Sequence, residues 1–348
     1  MTSESNSKKI PVFLLILLII AVIIRIAFGI WFTSSEGFFL TSDHWVYDHL
    51  SKNIINGNGY LFNEKSVKYT DGHYLRDYVQ EFQNDYFYGV VPYGQPTAFW
   101  EPGYPVFVAI LYKIFGNRLI FPIIVQAILW AGIVYILYLL AAQITNHRTG
   151  MISALILTFF PVSIYLSGSL MSETLFIFLQ ILSIHLLFKS FKSYLWWLLL
   201  ISGILFGLAF LTRSFCVFWL PVFFVAIFKF QIKHRISAII LWSAGVLIVI
   251  APWVIRNNYA LGKPLIFPTK GAVNFWMWNV PTCDEEYKHI EQQLILSRNS
   301  AERDSLRKEL FEIQIPDLQG KTELVRSAEL KSIAIDNIYK YPAEFAKK

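Results

Sequence analysis

Leu119–Ala142 reads LIFPIIVQAILWAGIVYILYLLAA, 24 residues without a charged side chain. About 20 apolar residues wound as a helix cross a hydrocarbon core of about 30 Å. Inside that core water offers the backbone no partner, so such a run must be helical. Six comparable runs flank it, at 10–32, 149–170, 172–191, 194–212, 214–230 and 236–255. Composition agrees. Of 348 residues, 55% are hydrophobic and 16% charged, against about 45–50% and about 25% in a soluble domain. The first run is too long for a cleaved signal peptide, carries Arg25, and lacks a small-residue cleavage site. The reading is an all-α polytopic membrane protein of about seven transmembrane helices.

Charge gives the expected sidedness. Between Arg118 and Arg256 stand nine Lys or Arg and a single acid, Glu173. A nucleic-acid binder would gather its bases on a hydrated face, whereas these punctuate apolar runs. Connectors at Arg148, at Lys189 and Lys192, and at Lys229, Lys233 and Arg235 face the cytoplasm under the positive-inside rule, as do Lys8 and Lys9. The long segment 33–117 and everything after Arg256 then lie outside. Parity requires that Tyr104–Phe115 (YPVFVAILYKIF) not span, so it reads as an interfacial or re-entrant helix. The chain thus divides into a transmembrane module, 1–256, whose first outer loop is 33–117, and an extracytoplasmic helical segment, 257–348. That segment is helix-periodic over Ala301–Ile313 and Thr322–Tyr339. Cys216 lies inside an apolar run and Cys283 beyond the last one, so neither a disulfide nor a cysteine metal site is expected.

The outer loops carry the candidate chemistry. Small polar residues Thr41 and Ser42 precede Asp43, and Val46, Leu50 and Ile54 follow at helical spacing. Asn56-Gly57-Asn58-Gly59 then ends the helix with residues suited to positive φ. Asp43 reads either as a capping charge at a helix N-terminus or as a reactive carboxylate. Asp48 is five residues on, about 140° around the helix, and reads as a solvated or headgroup-facing acid. His44 and Asp48 share an i, i+4 face and form a weak pair for a divalent metal; no other cofactor is indicated. Glu101, in Trp100-Glu101-Pro102-Gly103-Tyr104-Pro105, reads as a rim carboxylate or as a cap of the following helix. Glu173, Arg213 and Arg256 stand at span ends on the outer side. Arginines kept there against the positive-inside trend meet lipid headgroups or an anionic ligand.

Taken in order, these motifs resemble a known family. Asp43 before a helix ending in Asn-Gly-Asn-Gly-Tyr, then EPGYPVF, Ser172-Glu173-Thr174-Leu175, GLAFLTR at 207–213, and PWVIRN followed by Pro268–Asn279 look like membrane glycosyltransferases of the GT-C fold. The branch is that of protein O-mannosyltransferases and bacterial aminoarabinose transferases, the family 39-like enzymes, and the resemblance covers about residues 10–348. It implies transfer of a sugar from a polyprenyl-phosphate donor to a protein, lipid or glycan acceptor outside a bacterial cell membrane. It implies catalysis by Asp43 with support from Glu173, and substrate contacts by Tyr104 and Glu101. Relatives carry a basic phosphate ligand where Trp100-Glu101 stands here, which moves phosphate binding to Arg213 and Arg256. Relatives also continue with further spans, so the resemblance implies a chain truncated at Lys348.

That chemistry suits those residue types. A sugar phosphate ester leaves as an anion and needs cations, with one carboxylate to deprotonate the acceptor. Attack opposite the leaving phosphate inverts the anomeric centre. Outer-loop Trp and Tyr fit the interfacial aromatic belt better than sugar stacking. The rival readings are a flippase or transporter of lipid-linked sugars and an inactive truncated relative. Transporters favour midplane charges and repeated halves, whereas the sequence has charges at outer span ends and no visible repeat.

Overall fold

A computed structural model describes residues 11–34, 43–62, 94–193, 195–229, 235–279 and 321–346, with scattered positions between 289 and 306. Among them the chain is helical, and the only pairing of extended backbone is an isolated bridge between Leu61 and Pro96. The expected helix at Ala301–Ile313 lies mostly outside the described residues. The chain divides into two compact units. One joins 1–58 to 101–256, and the other joins 59–100 to 257–348.

The first unit holds α1 (Val12–Ser34), α2 (Asp43–Ile55), α3 (Gly103–Phe115), α4 (Ile120–Ile144), α5 (His147–Phe159), α6 (Pro161–Gly168), α7 (Glu173–Ser193) and α8 (Trp197–Thr212). A 3₁₀ helix, Ser214–Trp219, leads into α9 (Leu220–Lys229), and α10 runs from Arg235 to Leu261. Among the described residues four helices are long and apolar enough to cross a membrane: α1, α4, α7 and α10. The bent pair α5 and α6 makes a fifth if counted as one span.

The seven apolar runs thus give four or five helices of spanning length among the described residues. Run 149–170 is broken by 57° at Phe160-Pro161, because proline has no N–H to continue the ladder. Run 194–212 gives only the 16 residues of α8, which rise about 24 Å at 1.5 Å each. Run 214–230 is split between the 3₁₀ turn and the ten-residue α9.

Leu14, Leu17, Trp130, Ile133, Val134 and Ala154 form a buried core where α1 meets α4 and α5. Small residues bring other helices into near backbone contact, the usual solution where lipid removes the hydrophobic drive between helices. A Cβ on Gly207 of α8 would stand 2.9 Å from Val249 Cβ and 3.0 Å from Val246 O of α10.

The break between α5 and α6 is filled from α1. Pro161 cannot bond Leu157 O, and Phe160 turns to extended backbone (φ −66°, ψ 114°). Arg25, fully buried in α1, takes both places. Its Nη2 donates to Leu157 O at 3.3 Å and to Ser163 Oγ at 2.8 Å. Its Nη1 donates to Thr158 O at 3.1 Å and to Ala21 O at 3.0 Å. The guanidinium lies 5.0 Å from the centre of the Trp130 ring.

In the second unit, α11 (Lys270–Trp278) packs on α12 (Glu323–Lys340), followed by the short α13 (Pro342–Phe345). Glu323 is 2% exposed and binds Thr97 Oγ1, Ala98 N and Thr269 Oγ1 at 2.5, 3.0 and 2.7 Å. A buried carboxylate survives only when paired or hydrogen-bonded in this way.

Candidate functional site

The site lies in the first unit, where four elements meet at one end of the bundle: the start of α2, the start of α3, the start of α7, and the end of α8. Asp43 is the first residue of α2 and is partly buried. Tyr47 follows one turn later on the same face and is 6% exposed. Its hydroxyl donates to Ser172 Oγ at 3.2 Å. Arg213 Nη1 donates to the same oxygen at 3.0 Å and to Glu173 Oε1 at 2.7 Å. Burial raises the Tyr47 phenol pKa, and Asp43 raises it further. The Ser172 bond and Arg213 act in the opposite direction, while Glu101 adds a last upward push. The charges at this end therefore converge on Tyr47.

Arg213 holds its guanidinium half in reserve. Nη1 makes both bonds, and among the described residues neither Nη2 nor Nε donates one. Glu173 Oε2 is likewise buried without a hydrogen-bond partner among the described residues. Behind them Tyr104 is fully buried, with its ring centre 4.8 Å from that of Tyr47. Its hydroxyl donates to Gln126 Oε1 at 2.6 Å, and Gln126 Nε2 donates to Ser167 O and Ser169 O. These bonds tie the start of α3 to α4 and to the turn before α7.

α3 has Pro102 at its N-cap. The Glu101 carboxylate reaches the turn after α8, where Oε1 accepts from Ser214 N at 2.9 Å and Ser214 Oγ at 2.8 Å.

Arg256 reaches the same end by a different path. Gly203 of α8 meets Trp242 of α10, and Gly207 meets Val246. Equal steps of four residues on each helix mean that the two run parallel. Six residues further along, Arg213 is level with Pro252, and Arg256 lies about one turn beyond. Its guanidinium lies 4.9 Å from the Trp253 ring centre.

Asp48 differs from its expected solvated state. It is fully buried, accepts from the Tyr112 hydroxyl at 2.7 Å, and pairs with Lys52 at 2.8 Å. It anchors α2 to α3. His44 is 5% exposed, and among the described residues no three His, Cys, Asp or Glu side chains gather as a metal site. Residues that sequence reasoning did not single out are Tyr47, Ser214 and Gln126. Only Tyr47 carried a signal, its i+4 spacing from Asp43.

Residues 95–255 match the family described as dolichyl-phosphate-mannose-protein mannosyltransferase. The matched stretch is somewhat under half of the chain. It includes Glu101, Tyr104, Glu173 and Arg213, and stops short of Asp43 on one side and Arg256 on the other. No curated protein matches the chain significantly. The match supports a membrane glycosyltransferase of the mannosyltransferase-like kind.

Proposed function

We propose that the protein moves a sugar from a polyprenyl-phosphate donor to an acceptor hydroxyl on the outer side of a bacterial cell membrane, inverting the anomeric centre. The observation that carries this reading is the gathering of Asp43, Glu173 and Arg213 around Tyr47 and Ser172 at one bundle end. In the proposed step Asp43 takes the proton from the acceptor hydroxyl. The acceptor oxygen bonds to the anomeric carbon as the carbon–oxygen bond to phosphate breaks, and the lipid phosphate leaves as an anion. Arg213 and Arg256 bind that phosphate, Glu173 holds Arg213 in place, and Tyr104 and Glu101 frame the site. The acceptor is a protein, lipid or glycan, and the membrane's own lipids surround the donor chain.

A general base supplies about 10²–10⁴ in rate, and fixed donors at developing negative charge supply about 10²–10³ more per group. A flippase of lipid-linked sugars is the second reading, because Arg25 sits buried at a bent helix, as in many transporters. Both terminal nitrogens of Arg25 are, however, engaged by protein acceptors.

The test of the phosphate role is binding of a polyprenyl-phosphate mannose donor to the purified chain. Replacing Arg213 or Arg256 by Ala weakens that binding about tenfold or more, in line with a charge-assisted bond lost. Lys restores only part, since it lacks the planar fork. Parental affinity in both Ala variants contradicts the phosphate role.

A further inference from the structure

Arg213 sits alone between two helices. It ends α8 and precedes the 3₁₀ helix in extended backbone, φ −152° and ψ 105°. The first N–H groups of a helix have no intrahelical partner, and a capping side chain normally supplies one. Arg213 occupies the N-cap and makes no such bond. Glu101 makes it from another element, accepting the Ser214 N–H at 2.9 Å and the Ser214 hydroxyl at 2.8 Å on the same oxygen.

Glu101 can reach Ser214 because Gly103 lets the start of α3 lie directly on the end of α8. A Cβ at Gly103 would stand 2.7 Å from Leu211 C, Leu211 O and Thr212 Oγ1. The residue after Arg213 is thus clamped by Glu101, while the Arg213 guanidinium is held by Ser172 and Glu173. We propose that Glu101 is a positioning residue for Arg213: its carboxylate fixes Ser214, aims the guanidinium, and so sets affinity for the lipid phosphate without touching the donor. This rests on the reading of Arg213 as a phosphate ligand.

The test is a double-mutant cycle on the full chain in detergent, with sugar-free decaprenyl phosphate as the probe and the melting midpoint of each variant recorded. Glu101→Ala weakens binding about tenfold, the scale of two hydrogen bonds to a charged acceptor. Glu101→Gln stays within about threefold, because the amide oxygen still accepts from Ser214. In an Arg213→Ala background, Glu101→Ala adds no further loss. Should Glu101→Ala fail to fold, Ser214→Ala removes one of the two bonds and carries the same cycle. Tighter binding by Glu101→Ala in both backgrounds would mean that the carboxylate faces the phosphate, and overturns the proposal. So does a Gln variant as weak as Ala, or a further loss on top of Arg213→Ala. A weakened Arg213→Ala beside an unaffected Glu101→Ala overturns the positioning role alone. An unaffected Arg213→Ala removes the phosphate reading itself.

Discussion

Replacing Asp43 by Asn lowers sugar transfer about 10²-fold or more, while expression and donor binding stay at parental levels. Asp43 opens α2, one turn before Tyr47 on the same face. Asn caps a helix about as well as Asp, and the substitution removes basicity while leaving the cap. If Asp43 serves only as a cap, the pattern reverses. Asn then transfers at the parental rate, and Ala costs about 1 kcal/mol of stability. Expression, donor binding and transfer measured on both variants separate the two roles.

Replacing Arg25 by Ala destabilises the protein by about 3 kcal/mol, since each buried polar group left without a partner costs about 1–3 kcal/mol. Leu157 O has lost its helical partner to Pro161, Thr158 O lies at the break, and both lean on Arg25. Unfolding in detergent, followed thermally or with a denaturing detergent, reads the loss. Pro161→Ala returns an N–H for Leu157 O, so in the Arg25→Ala background it recovers part of the stability. Parental stability in Arg25→Ala would show that the carbonyls find other partners and that the arginine is not the staple described here.

The helices were legible because apolar length is a local property. Leu119–Ala142 announces itself, and the structure gives Ile120–Ile144. The same rule passed over Pro161, because a run of sufficient length satisfies it whether or not the helix is straight. The site residues were legible as charges in unexpected places: Glu173 and Arg213 interrupt long apolar stretches and are 2.7 Å apart. Their partners were less visible. Asp48 is buried by Tyr112, which arrives from α3, and no periodicity within α2 announces that contact. Glu101 was poised between a rim and a cap. The helix it caps begins at Ser214, far along the chain, and spacing within its own motif says nothing of that.

The central claim is that this end of the bundle breaks the bond between a sugar and a lipid phosphate. The most direct measurement supplies the purified chain with labelled polyprenyl-phosphate mannose in vesicles, together with a membrane extract as acceptor, and weighs the lipid afterwards. The account predicts free polyprenyl phosphate, label moved to an acceptor with inverted configuration, and both products formed at least about 10²-fold more slowly with Asp43→Asn. Lipid-linked mannose that crosses the vesicle bilayer and remains chemically unchanged would contradict it.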